Sequence, residues 1–165
     1  MDTTVNLSAQ ERPRDVLLVE DNEHDVELTR RGIARCQLPV NFHHVDNGAA
    51  CMRFLRKEAP YTDAPTPDLI LLDLNMPQMN GRQVLQAMAD DPQLRNLRVA
   101  VLTTSADECD MLDMFKLQCC FYIVKPIDFA QFGRLLRGAD ENWLSFSATA
   151  PRFPWRPLRG TKSLR

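Results

Sequence analysis

The stretch Leu69-Ile-Leu-Leu-Asp73-Leu-Asn-Met-Pro-Gln-Met-Asn-Gly81 decides the fold of this chain. Four apolar residues run into a single acid, Asp73, and turn-forming residues follow at once. Such an apolar run is typical of a strand that is buried on both faces. Packing does not explain the acid that ends it, because an unpaired carboxylate is costly to bury. We therefore expect Asp73 to lie at the mouth of a sheet and to face a chemical partner there.

Short apolar runs alternate with amphipathic segments along the chain. The amphipathic segments carry apolar residues at roughly helical spacing, and turn residues bound the runs between them. This alternation predicts an α/β fold, a doubly wound five-stranded parallel sheet with helices on both faces. The predicted strands are 16–19, 40–45, 69–72, 99–102 and 121–124, and the predicted helices are 24–36, 49–57, 83–89, 108–117 and 128–143.

We expect the sheet and its helices to form one domain over residues 14–144. Residues 1–13 are polar and end in a proline, which predicts a flexible arm. Residues 145–165 carry five basic residues, no acid and three prolines, and the prolines prevent a continuous helix. Two interpretations of this tail stay open, a solvated segment or an arm that docks on an acidic surface.

Composition excludes several classes of function. The chain has 20 basic and 22 acidic residues, and because five basic ones lie in the tail, the body is acidic. An acidic body argues against nucleic-acid binding. No apolar run approaches the ~20 residues of a membrane span, and the N-terminus lacks the pattern of a secretory signal, so we expect a cytoplasmic protein. The five cysteines are scattered without a C-x-x-C pair, which argues against a disulfide framework or a zinc site.

Polar residues follow four of the predicted strands at the end where such sheets bind ligands. They are Glu20, Asp21, Asp73, Thr103 and Lys125. Three neighbouring acids stay ionised only beside a counter-charge, which is either the lysine or a divalent cation. Carboxylates together with water suit Mg²⁺, and an ammonium with a hydroxyl suits phosphoryl oxygens. We therefore predict a site that holds a phosphoryl group beside Mg²⁺, and Asp73 could be the nucleophile that carries it as an acyl phosphate.

Each of these residues has a simpler interpretation when it is taken alone. Glu20 and Asp21 could begin a helix, and Asp73 could cap the turn that follows it. Thr103 could belong to a turn, and Lys125 could be a solvated surface charge. The functional interpretation is preferred because four strand ends each terminate in a group that phosphoryl chemistry needs.

The polar strand ends belong to four longer motifs, which are Val-Glu20-Asp21-Asn, Leu-Asp73-Leu-Asn-Met-Pro-x-Met-x-Gly81, Leu-Thr103-Thr-Ser and Val-Lys125-Pro126. Together these motifs resemble the response-regulator receiver domain, which has the CheY-like fold. The resemblance covers about residues 14–143. The loop at 61–67 and the ending at 141–144 are similar to single-domain response regulators that are paired with bacterial phytochromes.

The resemblance implies that Asp73 accepts a phosphoryl group from a histidine kinase. It also implies a Mg²⁺ site in which Asp21, Asp73 and the backbone carbonyl of Asn75 bind the ion, while Glu20 acts through water. The chain would then be a phosphoryl acceptor and not an enzyme, apart from slow self-dephosphorylation.

Further roles follow from the same resemblance. Thr103 and Lys125 would bind the phosphoryl group, and Thr103 would reposition after transfer. Tyr122 matches the switch aromatic that turns inward in the active state. The bond between Lys125 and Pro126 would be cis, as it commonly is in this family.

The sequence also bears on a partner and on competing functions. Apolar residues on the fourth and fifth predicted helices are either core, as any amphipathic helix requires, or part of a homodimer face. The resemblance to phytochrome response regulators implies such a face, with the fifth strand between the two helices. An alternative function is a Mg²⁺-dependent phosphohydrolase that forms an aspartyl phosphate. Such hydrolases carry an Asp-x-Asp motif at the nucleophile, whereas this chain has Asn75 in place of the second Asp. A nucleotide-binding function is disfavoured, because the turn after the first strand is acidic and lacks glycine.

Overall fold

Six strands form one sheet, and five of them run parallel, as the sequence predicts. The computed structural model describes residues 12–104, 120–125, 127, 133 and 155–157. The strands are β1 (Arg14–Val19), β2 (Val40–Val45), β3 (Leu69–Asp73), β4 (Val99–Thr103), β5 (Cys120–Val124) and β6 (Trp155–Pro157). The helices with described bounds are α1 (Glu23–Arg35), α2 (Gly48–Leu55) and α3 (Gly81–Asp90).

The order of the strands places the acidic strand ends side by side. Across the sheet the order is β2-β1-β3-β4-β5-β6, so β1 and β3 are neighbours near the centre. The winding reverses between these two strands, and doubly wound sheets bind ligands beyond the carboxyl ends of the strands at this point. The predicted α/β fold is confirmed.

The central strands are buried on both faces, and alternate side chains enter two separate hydrophobic layers. Leu17 and Ile70 lie in the layer that α2 and α3 cover. Leu18 and Leu71 lie in the other layer, together with apolar residues of α1. Helices therefore cover both faces, and the strand ends remain as the natural place for polar groups.

Asparagine side chains set the starts of the described helices. Asn22 caps α1, Asn47 caps α2, and Asn80 caps α3 by accepting hydrogen bonds from backbone N–H groups of the first turn. The Asn80 backbone N–H donates in return to Oε1 of Gln83, which completes a capping box. The helices consequently begin one or two residues earlier than the apolar periodicity predicts.

The sixth strand was not predicted. Trp155–Pro157 pairs antiparallel with β5, and Ile123 is opposite Trp155 in the register. Proline is tolerated on an edge strand, where its missing N–H leaves no central ladder bond unmade. Part of the basic tail therefore continues the sheet, an arrangement that neither interpretation of the tail described.

Several expectations fall outside the described residues. The predicted helix at 108–117 lies there entirely, and of the predicted helix at 128–143 only Gly133 is described, as helical. Pro126 is also outside, so the predicted cis bond stays a prediction. Within the described ranges, no helix has the length and apolar character that crossing a membrane requires.

Candidate functional site

Asp73 ends the central strand β3, and its side chain is buried at the mouth of the sheet. The backbone N–H of Asn75 donates a hydrogen bond to Oδ1 of Asp73 at 3.1 Å. The Leu74 N–H still donates to the Leu102 carbonyl of β4 at 3.3 Å, and the chain then turns so that the Gly81 N–H donates to the carbonyl of Leu74 at 3.3 Å. The turn after β3 thus folds back over the carboxylate and orients it.

Three carboxylates converge where β1 and β3 end. One carboxylate oxygen from each of Glu20, Asp21 and Asp73 lies within 4.8 Å of the other two. Glu20 and Asp73 are buried, whereas Asp21 is exposed, so the cluster opens to solvent on the Asp21 side. Oxygen donors at this spacing suit a hard divalent cation such as Mg²⁺.

Lys125 follows β5 and brings a positive charge to these acids. Its Nζ atom lies 2.9 Å from Oε2 of Glu20, 3.2 Å from Oδ2 of Asp25 and 3.6 Å from Oδ2 of Asp73. The Lys125 backbone N–H donates to the carbonyl of Thr103 at 2.7 Å, which ties the ends of β4 and β5 together. One ammonium therefore serves three carboxylates from three different elements.

Burial and charge shift the pKa values of two of these groups in a consistent way. Burial raises the pKa of Glu20 to about 7, the neighbouring Asp73 adds to the rise, and the hydrogen bond from Lys125 opposes it. Burial alone would lower the pKa of Lys125, but its hydrogen bonds to Glu20 and Asp25 and the charges of Asp73 and Glu20 outweigh burial and raise that pKa. The site is thus crowded with negative charge and retains its cation.

The neighbouring strand β2 holds both backbone polar groups of Glu20. Nε2 of His44 donates to the Glu20 carbonyl at 2.8 Å, and the Glu20 N–H donates to the carbonyl of Val45 at 3.1 Å. The Asn22 N–H donates in turn to Oε1 of Glu20 at 3.2 Å. These bonds fix the acidic turn before any ligand binds.

Gly81 allows the turn after β3 to approach the strand closely. A Cβ atom at this position would lie 2.5 Å from the carbonyl oxygen of Asp73 and 2.8 Å from Cα of Leu74. Both contacts are with backbone atoms, which cannot move aside as a flexible side chain can. The glycine is therefore required by the path of the backbone beside Asp73.

The structure brings most of the predicted site residues together. Glu20, Asp21, Asp73 and Lys125 form the cluster, as the sequence predicts. Thr103 is buried at the end of β4, one residue beyond Leu102, which is the register partner of Asp73.

Two other predicted residues lie in the turn after β3 and in β5. Asn75 is exposed and contacts Asp73 through its N–H. Tyr122 lies in β5 between Val101 and Arg156, but its side chain is outside the described structure, as is Pro126.

Sequence reasoning missed Asp25 and His44. An acid in the first turn of a helix is ordinary, because it complements the helix dipole, so Asp25 drew no attention. Its place in the first turn of the helix that directly follows the acidic end of β1 is the signal that could have indicated a shared location. No comparable signal exists for His44, whose contact with Glu20 depends on the pairing of β1 with β2.

Comparison with known proteins agrees with this geometry. The family profile "Response regulator receiver domain" matches residues 16–137. The chain therefore belongs to the response-regulator receiver domain family. Response regulator Rcp1 of Synechocystis is 33% identical over 132 residues, which cover 80% of this chain and 90% of Rcp1.

Solved structures give the same result. The bacteriophytochrome response regulator RtBRR has a TM-score of 0.70 and 35% identity over 78% of each chain. The phosphorylated cyanobacterial phytochrome response regulator RcpA has a TM-score of 0.65 and 39% identity over 81% of this chain and 95% of its own. The Mn²⁺-bound form of Rcp1 has a TM-score of 0.63 and 32% identity over 86% of this chain and 99% of its own. The chain is thus related to phytochrome response regulators.

Proposed function

We propose that this protein is a single-domain response regulator that accepts a phosphoryl group on Asp73 in the presence of Mg²⁺. One observation carries the proposal. The buried Asp73 carboxylate lies beside two further carboxylates, and its Oδ2 atom is 3.6 Å from Nζ of Lys125. The carboxylates suit a metal, and the ammonium suits the phosphoryl oxygens. Related proteins known in a phosphorylated form and in a Mn²⁺-bound form support it.

The transfer itself is a displacement at phosphorus. An oxygen of the Asp73 carboxylate forms a new bond to phosphorus, and the bond from phosphorus to the donor's histidine nitrogen or acyl oxygen breaks. The electron pair of that broken bond leaves with the donor group. Lys125 and Thr103 would bind the phosphoryl oxygens, because β4 and β5 end beside Asp73. The chain thus acts as the acceptor and not as a turnover enzyme.

The residues at the site fit Mg²⁺. Asp21, Asp73 and the carbonyl of Asn75 would bind the ion, and Glu20 would act through water. When bound, Mg²⁺ would neutralise the charge that the phosphoryl group adds among existing acids.

Phosphorylation from a small acyl-phosphate donor is expected to depend on Mg²⁺. The purified protein is incubated with acetyl phosphate and Mg²⁺, and its intact mass is measured. We expect a gain of one phosphoryl group, no gain when a chelator removes the metal, and recovery when excess Mg²⁺ is restored. No gain from acetyl phosphate or from any histidine kinase tested would contradict the proposed function.

We further propose that the physiological donor is a histidine kinase of the phytochrome type, which implies a cytoplasmic location. The relationship to RtBRR and RcpA supports this partner. Tyr122 and Thr103 would transmit the modification as a shift between two populated conformations. We propose neither a nucleic-acid partner nor a membrane partner.

A homodimer is proposed through the predicted fourth helix, β5 and the predicted fifth helix. In the structure β6 occupies the free edge of β5, so a partner would pack beside that strand or replace it. We expect sedimentation to show dimers at high micromolar concentration. A monomer at that concentration, whether phosphorylated or not, would rule out this dimer.

A further inference from the structure

Asp25 is a fourth carboxylate at the phosphoryl site, and the proposed function leaves it without a role. Its Oδ2 atom lies 3.2 Å from Nζ of Lys125, which is closer than Oδ2 of Asp73 at 3.6 Å. Its side chain is 35% exposed, so solvent screens this ion pair only in part. Asp25 therefore competes directly with the acceptor carboxylate for the same ammonium.

The start of α1 fixes Asp25 in this position. The Asp25 N–H donates to Oδ1 of Asn22 at 3.2 Å, and the Asp25 carbonyl accepts from Oγ1 of the buried Thr29 at 2.8 Å. Because both backbone groups are bonded, the carboxylate is presented from a rigid helical turn. Lys125, by contrast, has a long side chain whose ammonium can move between neighbouring oxygens.

We infer that Asp25 is a positioning residue that holds the Lys125 ammonium on the α1 side of the site. The inference rests on the proposed function and deepens it. When a phosphoryl group is bound at Asp73, its oxygens need the same ammonium, and Asp25 opposes that redistribution. Asp25 thereby lowers the affinity of the site for a phosphoryl group.

A purely structural role for Asp25 makes a different prediction. An acid in the first turn stabilises a helix through its dipole, and Glu23 lies in the same turn. Among the described ion pairs, however, none joins Glu23 to Lys125. Glu23→Gln therefore removes the same charge from the same turn without touching the ammonium, and it is the matched control for Asp25→Asn.

The test uses the full-length chain, with fluoroberyllate as a mimic of the phosphoryl group. Calorimetric titration measures the Kd of Mg²⁺ alone and then the Kd of fluoroberyllate at saturating Mg²⁺. We expect Asp25→Asn to bind fluoroberyllate about twofold to fivefold more tightly than the wild type, the range of a partly exposed ion pair. Its affinity for Mg²⁺ alone should be unchanged or weaker, because a nearby negative charge is lost.

Controls separate the outcomes. Asp25→Glu should restore wild-type affinity for fluoroberyllate, and Glu23→Gln should not change it. If Asp25→Asn binds both Mg²⁺ and fluoroberyllate more weakly than the wild type, the positioning role is wrong while the proposed function stands. The same holds if its Kd for fluoroberyllate equals that of Glu23→Gln. If the wild type neither binds fluoroberyllate nor takes up a phosphoryl group, the proposed function itself fails, and the inference fails with it.

Discussion

An Asp73→Asn variant is expected to take up no phosphoryl group from acetyl phosphate and Mg²⁺, and yet to be more stable than the wild type. The amide is not a nucleophile, so the displacement at phosphorus has no acceptor. Stability rises because Asp73 and Glu20 are two buried carboxylates in one cluster, and Asp73 contributes to the raised pKa of Glu20. Removing one charge relieves this repulsion, by about 1 kcal/mol in the metal-free protein.

Intact mass and urea unfolding in the presence of a chelator measure the two effects on the same sample. Asp63→Asn is the matched control, because it makes the same chemical change at an exposed acid in the loop before β3. The control should accept one phosphoryl group and unfold with the wild-type midpoint. A phosphoryl group retained by Asp73→Asn would show that the acceptor is another residue. A large loss of stability would show that Asp73 is a structural ion-pair partner of Lys125.

Gly81→Ala is expected to destabilise the protein by about 1–3 kcal/mol and to slow phosphorylation, because the added methyl group overlaps the backbone of β3. Its Cβ would lie 2.5 Å from the Asp73 carbonyl oxygen, so either α3 or the end of β3 must shift. A shift at β3 moves the acceptor carboxylate relative to its neighbours, and small misplacements of reacting groups cost rate.

Gly133→Ala is the control for this substitution. Its Cβ would lie 3.5 Å from Sγ of Cys36, which is an ordinary contact, and alanine is favoured over glycine in a helix. We expect this variant to be as stable as the wild type or slightly more stable, with an unchanged phosphorylation rate. Equal stability of Gly81→Ala and the wild type in urea would contradict the close approach at Asp73.

The acids and the lysine of the site could be predicted because each one directly follows a strand. In a parallel sheet, that position alone places a residue at the ligand-binding edge. Once β1 and β3 are assigned as neighbouring parallel strands, their carboxyl ends must meet, and Glu20, Asp21 and Asp73 arrive together. Lys125 follows the same rule through the pairing of β4 with β5. No knowledge of side-chain conformation is needed for this step.

Other features depend on contacts between segments that carry no mark in the chain. Asp25 has the appearance of any acid at a helix start, and its role follows from a distance of 3.2 Å to a residue a hundred positions away. His44 reaches the Glu20 carbonyl only because β2 pairs beside β1 in a defined register. Helix starts differed from prediction for a simpler reason, since capping by asparagine begins a helix before its apolar periodicity becomes visible.

The alternation of apolar runs and amphipathic segments was enough to predict the parallel sheet and the acids at its mouth, including Asp73. These features follow from burial and strand direction, which each segment encodes in its own composition. The folded structure was needed to show how the Lys125 ammonium is shared among Glu20, Asp25 and Asp73. It was also needed to show that β6 pairs with the edge of β5. These outcomes depend on distances and pairings between remote segments, because electrostatic and hydrogen-bond energies change steeply over less than an ångström.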